Sequence, residues 1–217
     1  MKYIVFGASG LVGSHVVDIL ESKNADYIAV YRALPTYKKI NLAKAIVYPN
    51  ILDVPNSYME GRAVISCTGS TLKSAGSTSM FFQVAVSLVK SLSVKAVEAK
   101  SISFNVISGA TSPIKFLNKI PYVRAKSMLE NALYTTPIVS LNIVRPFFLS
   151  GDRKEVRQGE KIILFCFKVI SFLLKGKLLT YKPVPAEKVA KSLLYMADQN
   201  KVAINIMENI DIHNIDS

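Results

Sequence analysis

The sequence has little cysteine: Cys67 and Cys166 stand far apart, with no second cysteine or histidine at metal-ligand spacing. A disulfide framework is excluded, no metal site is expected, and a reducing compartment fits. The two histidines, His15 and His213, have no partners that would make them ligands. Glycine and proline, at 10 and 9 residues, are too sparse for a collagen or a linker array, while 50% hydrophobic residues exclude a disordered chain. Lys2 precedes an apolar run, but Gly10 and Gly13 interrupt it and Asp18 and Glu21 follow. No export signal is read, and the expected location is cytoplasmic. There is no internal repeat, no low-complexity tract and no long linker, so residues 1–217 are expected to form one domain.

Acidic residues are also scarce, 15 against 27 Lys and Arg, for a formal charge of +12. Such a balance favours anionic ligands or surfaces, although a lysine-rich solvated exterior accounts for it equally. No helix-turn-helix or RNP-type aromatic motif directs the charge to nucleic acid, so no nucleic-acid partner is expected.

What is present is alternation. YIVFG, YIAVYR (Tyr27 to Arg32), AIVY (Ala45 to Tyr48), AVIS (Ala63 to Ser66), ISFNVIS (Ile102 to Ser108) and IVSLNIV (Ile138 to Val144) are short apolar runs suited to strands covered on both faces. Between them lie helix-compatible stretches after Gly10, from Ser79 to about Lys100, and from Pro121, at a first helical position, to about Leu133. AEKVAKSLLYMADQ and AINIM (Ala203 to Met207) predict a late helix and strand. The expected fold is α/β, a Rossmann-type doubly wound, mostly parallel sheet with helices on both faces. Residues 151–185 break the alternation and are expected to cover the substrate side.

FGASGLVG places Gly7, Gly10 and Gly13 at three-residue steps between the first strand and the first helix. A tight turn there aims the unpaired N–H groups of a helix N-terminus at a pyrophosphate, and missing side chains permit close approach. Ser9 adds a hydroxyl donor. The second strand ends in Tyr31 and Arg32, without the acid that would bind a ribose 2′-hydroxyl. A guanidinium suits a 2′-phosphate, so NADP(H) is the expected cofactor. Lys38 and Lys39 either assist or are solvated loop charges.

PYVRAK sets Tyr122 and Lys126 four residues apart, on one face of the predicted helix, with Ser108 at the C-terminal end of the fifth strand. A phenol of pKa about 10 needs a nearby ammonium to exchange its proton near neutral pH. Tyr122 is therefore the candidate acid/base, Lys126 its activator and a ribose ligand, and Ser108 the hydroxyl that steadies the substrate oxygen.

Taken together, GASGLVG, CTGST (Cys67 to Thr71), FNVIS, YVRAK and RPFFLSGDR (Arg145 to Arg153) resemble the atypical short-chain dehydrogenase/reductases, most closely the branch of the Tat-interacting oxidoreductase-like proteins. The resemblance covers nearly the whole chain. It implies a Rossmann fold, NADP(H), a Ser, Tyr, Lys active site, and cofactor contacts at Gly7, Ser9, Gly10, Leu11, Val12, Arg32, Cys67, Thr68, Gly69, Tyr122, Lys126, Pro146, Phe147 and Phe148. Gly109 stands where many relatives carry a second serine, which leaves Thr111 and Ser112 as alternatives to Ser108. The branch also contains members that act as regulators.

Residues Ile162 to Leu174 are apolar except for Lys168 and Ser171, and Lys161, Lys168 and Lys175 recur every seven residues. The run is too short and too charged to span a bilayer. Three readings stay open for 161–175: burial under a greasy substrate pocket, a homodimer contact, or a peripheral anionic membrane surface. The expected function is an NADP(H)-dependent oxidoreductase that reduces a carbonyl or related group of a small apolar substrate, with an NADP(H)-binding regulator of little turnover as the alternative.

Overall fold

The computed structural model describes residues 1–36, 39–69, 75–109, 120–150 and 182–215. Seven strands form its main sheet: β1 (Lys2–Phe6), β2 (Asp26–Tyr31), β3 (Ala45–Val47), β4 (Ala63–Ser66), β5 (Ser103–Ile107), β6 (Leu141–Arg145) and β9 (Ile204–Glu208). Their order is β3-β2-β1-β4-β5-β6-β9, and every neighbouring pair is parallel. From β1 the chain winds first towards β3, then crosses back to β4 and builds the other half. The crevice between β1 and β4, at the C-terminal strand ends, is where such sheets bind ligands. The expectation for residues 151–185 falls largely on 151–181, outside the described residues, as does the apolar run 161–175. Its described end is β8 (Val184–Pro185), which pairs with β7 (Leu149–Ser150) in a separate two-stranded sheet.

The absence of clean alternation in the strand sequences has a direct cause, since both faces are covered. Tyr3 and Val5 of β1 pack with α1 (Leu11–Ser22) and α4 (Ala186–Gln199), while Ile4 and Phe6 pack on the other face with α2 (Thr78–Glu98) and α3 (Pro121–Tyr134). Ile4, Val5 and Phe6 are all fully buried, and each such side chain contributes about 2 kcal/mol of transfer free energy.

Helix α2 is long and apolar enough by composition to cross a membrane, with a mean hydropathy of 1.4 over its richest window. Its apolar residues Phe81, Val89 and Leu92 are spent on the sheet. The uninterrupted helix expected there instead contains a π turn at Gln83–Ser87, beside the α3 contact.

One polar feature crosses the interior. Asn105 of β5, Asn142 of β6 and Asn205 of β9 are in register. Asn142 Nδ2 donates to Asn105 Oδ1 at 2.7 Å, and Asn205 Nδ2 donates to Asn142 Oδ1 at 2.9 Å. Asn105 Nδ2 continues to the Val64 carbonyl of β4 at 3.1 Å. Asn142 also reaches the Met196 carbonyl, one of the last four of α4 that lack an intrahelical partner. Burial of amides is tolerated because each is hydrogen-bonded.

Candidate active site

The glycine turn follows β1 directly. Gly7 has φ +76°, and an ideal Cβ there would meet the Cys67 carbonyl carbon and oxygen at 2.7 Å. Only glycine fits that backbone and that approach. The Gly10 N–H donates to Gly7 O at 2.9 Å and closes the turn. Gly10 then caps α1 with no side-chain hydrogen bond, and no acidic residue occupies the first turn. The dipole end of α1 therefore opens on a glycine cap with no carboxylate in its first turn, which fits an anionic diphosphate. Ser9 is exposed beside them, Leu11 is half-buried, and Val12 is buried as part of the helix anchor.

The crevice is flanked by the other expected cofactor residues. Arg32 is exposed immediately after β2. Cys67, Thr68 and Gly69 follow β4, with the Cys67 N–H donating to Phe6 O at 2.9 Å and Thr68 paired to Ser66 through their hydroxyls at 2.8 Å. A Cβ at Gly69 would meet open space. Burial pushes the Cys67 thiol up to about 12, which favours its uncharged form. Lys39 is exposed, whereas Lys38 lies outside the described residues.

Helix α3 begins with Pro121 at its first position. Ala125, Leu129 and Leu133 form a buried row at four-residue steps, and Tyr122, Lys126 and Glu130 form the parallel row beside it. The core row fixes the second row along the C-terminal side of β5. Lys126 Nζ donates to Ile107 O at 2.9 Å and lies 5.8 Å from the Tyr122 ring centroid. Burial lowers the Lys126 ammonium to about 8, with the Glu130 charge opposing the shift. Tyr122 is 41% exposed and its ring lies 6.4 Å from that of Phe81 in α2.

Ser108 is placed differently from its expected neighbours. It is fully buried, and its Oγ makes no hydrogen bond of ordinary geometry among the described residues. It lies on the Glu130 side, near enough to help hold that carboxyl down. Gly109 is the residue that meets the pair: its Cβ would fall 3.2 Å from Lys126 Cγ and 3.6 Å from Tyr122 Cε1. The structure thus brings Tyr122 and Lys126 together but does not bring the Ser108 hydroxyl to their exposed side. Thr111 and Ser112 lie outside the described residues.

An ion-pair cluster behind the pair carried no local sequence signal. Arg145 donates to both oxygens of Glu130, at 3.0 and 2.5 Å, and to Glu208 at 2.6 Å. Tyr134 OH donates to Glu130 at 3.0 Å. Burial acts to raise the Glu130 carboxyl, but the hydrogen bonds from Arg145 and Tyr134, the Arg145 charge and the nearby Ser108 hydroxyl outweigh it and hold it below the usual carboxylate range. Arg145 leads into Pro146, buried, and into Phe147 and Phe148, whose rings meet edge to face at 5.0 Å. The Phe147 N–H donates to Asn209 Oδ1 at 2.7 Å, which ties this turn to α5 (Asn209–Asn214).

No protein-family model matches the chain. Protein FMP52, mitochondrial, of Meyerozyma guilliermondii is 28% identical over 205 residues, covering 91% of this chain and 85% of the relative. Protein FMP52-2, mitochondrial, of Scheffersomyces stipitis is 26% identical over 210 residues, covering 93% and 85%. Both names overturn the cytoplasmic expectation: the curated relatives are mitochondrial proteins, and the lack of a readable export signal did not bear on that address. Among solved structures, UDP-N-acetylglucosamine 4-epimerase from Bacillus cereus superposes with a TM-score of 0.67 at 18% identity, covering 99% of this chain and 83% of the other. The Bordetella bronchiseptica enzyme WbmH in complex with NAD+ gives 0.67 at 14%, covering 95% and 75%. A short-chain dehydrogenase/reductase superfamily protein from Agrobacterium tumefaciens with bound NAD gives 0.68 at 14%, covering 95% and 76%. Strand order, glycine turn and these superpositions agree on one conclusion: the chain has a Rossmann-type fold, a doubly wound parallel sheet with helices on both faces.

Proposed function

We propose that this protein is an NADP(H)-dependent oxidoreductase of the atypical short-chain dehydrogenase/reductase type, nearest the Tat-interacting oxidoreductase-like branch, acting on a carbonyl or related group of a small apolar substrate. The observation that carries the reading is the glycine turn that brings the N-terminus of α1 to the β1/β4 crevice, with Tyr122 and Lys126 paired along the same edge of the sheet. The turn from Gly7 to Val12 would hold the diphosphate, and Cys67 to Gly69 and Pro146 to Phe148 would line the rest of the dinucleotide. Arg32 would take the 2′-phosphate. When bound, the nicotinamide supplies or accepts hydride.

The chain's own residues supply the proton chemistry. Tyr122 Oη gives a proton to the substrate oxygen in reduction, or takes one from the alcohol in reverse. A charged Lys126 beside the phenol favours its release of that proton. Phe82, half-buried and edge to face with the Phe81 ring that neighbours Tyr122, offers apolar surface near this side, in keeping with an apolar substrate. We assign the hydroxyl that steadies the substrate oxygen to Thr111 or Ser112 rather than to the buried Ser108.

That burial is also what favours a second reading, a nucleotide-sensing protein that binds NADP(H) with little turnover. The two separate on one variant. Under the enzyme reading, Tyr122→Phe keeps NADPH affinity and loses at least a hundredfold in NADPH oxidation in a carbonyl substrate screen. Absence of NADPH oxidation by the unmodified protein across that screen, with saturable NADPH binding, leaves the sensor. Absence of binding to either nicotinamide dinucleotide removes both. On the relatives' names we place the protein in mitochondria; immunodetection of the tagged protein outside a purified mitochondrial fraction would overturn that placement.

A further inference from the structure

We propose that Glu130 is a positioning residue for the Tyr122–Lys126 pair: its carboxylate, clamped by Arg145, keeps the Lys126 ammonium charged against the end of β5. The inference rests on the proposed function for its catalytic meaning, but its physical content stands without turnover.

Three observations support it. Tyr122, Lys126 and Glu130 recur at four-residue steps on one α3 row, so the carboxylate is the next side chain behind the ammonium. The Glu130 side chain is 6% exposed and held by two Arg145 nitrogens, which removes the freedom that weakens surface pairs. The surroundings of Lys126 otherwise disfavour charge: Gly109 packs on its stem, and its head finds one carbonyl, that of Ile107. Among the described residues, Glu130 is the charged group that supports Lys126. The end of β5 and the turn after it face Lys126 with Ile107 and Gly109, and β6 contributes Arg145, whose charge Glu130 and Glu208 share.

A lysine that lost its proton near neutral pH could neither hold the phenol's negative charge nor carry its third hydrogen bond to a ribose. The ion pair that looks like structural cement between α3, β6 and β9 therefore sets the alkaline limit of the site. Ser108 takes a place in the same arrangement, as a hydroxyl lodged beside the carboxylate.

The test follows the Lys126 titration directly in the full chain without cofactor, by 13Cε NMR of lysine-labelled protein, with the resonance assigned through Lys126→Arg. Glu130→Gln is expected to move the Lys126 midpoint from about 8 to about 7 or below, since it deletes a supporting charge and leaves the guanidinium less compensated. Glu130→Gln/Arg145→Met removes both charges, packs without a stranded cation, and is expected to lower the midpoint by a smaller amount. A double variant that titrates like the unmodified protein overturns the inference, because it assigns the single variant's effect to Arg145 alone. So does a folded single variant whose midpoint stays at about 8. If the single variant does not fold, the double variant decides. NADPH oxidation by the unmodified protein is scored separately: its absence with the expected NMR shifts removes the enzyme reading and leaves this inference standing.

Discussion

Gly13 lies so close to Gly7 that an ideal Cβ on the helix residue would sit 2.1 Å from the Gly7 carbonyl oxygen and 2.8 Å from its carbon. The third glycine of the motif thus serves the first: it lets α1 descend onto the turn, and the descent brings the helix N-terminus to the crevice. Neither contact involves a flexible side chain that could move aside.

Gly13→Ala is therefore expected to force the helix away from the turn, at a cost of about 3 kcal/mol. A urea unfolding midpoint reads the cost, and dinucleotide titration reads the displaced phosphate site. A variant within 0.5 kcal/mol of the parent, binding NADPH normally, would show that the turn is not shaped by this contact.

Arg32 follows β2, where an acidic residue would serve the unphosphorylated coenzyme. Arg32→Ala is expected to weaken NADPH binding by about tenfold, the worth of one charge-assisted hydrogen bond, and to leave NADH binding within twofold. Equal losses for both coenzymes, measured by fluorescence titration, would remove the phosphate role.

Lys126 gives a pH signature whose sign can be worked out. Its folded value is lowered to about 8 from 10.5, so between those values the unfolded chain binds more protons than the folded one. Folding therefore gains stability as pH rises through that window. Lys126→Met lacks the titration, and the stability difference should move in favour of the unmodified protein between pH 7 and pH 10 by roughly 2 to 3 kcal/mol. Thermal melts of both proteins across this range check the direction; a difference that is flat or moves the opposite way contradicts the lowered value of the Lys126 ammonium.

Most of the fold was legible because buried parallel strands announce themselves as short apolar runs bounded by turns. AVIS is β4 to the residue, and AEKVAKSLLYMADQ is α4 to the residue. The errors are equally physical. Ile138 and Val139 read as the start of β6, but the strand begins at Leu141 and Val139 is 63% exposed, since apolar residues of a connecting loop look the same as strand residues. The helix α5 was missed because it is six residues long, too short for periodicity; its signal was the reciprocal capping of Glu208 and Asp211. At the site, Gly7 and the Tyr122, Lys126 pair were visible as local spacings. The Glu130–Arg145 clamp joins residues 15 apart through two elements, and no local pattern encodes such a pairing.

The asparagine ladder bears on the site from a distance. Side-chain amides in three adjacent strands act as a vernier: sliding β9 by one residue would bring Ile204 or Ile206 to the rung and leave Asn142 Oδ1 without its Asn205 donor. The same slip would carry Glu208 to the opposite sheet face and strip Arg145 of its second carboxylate. An outer strand with no expected role in chemistry thereby calibrates the charge balance behind the lysine.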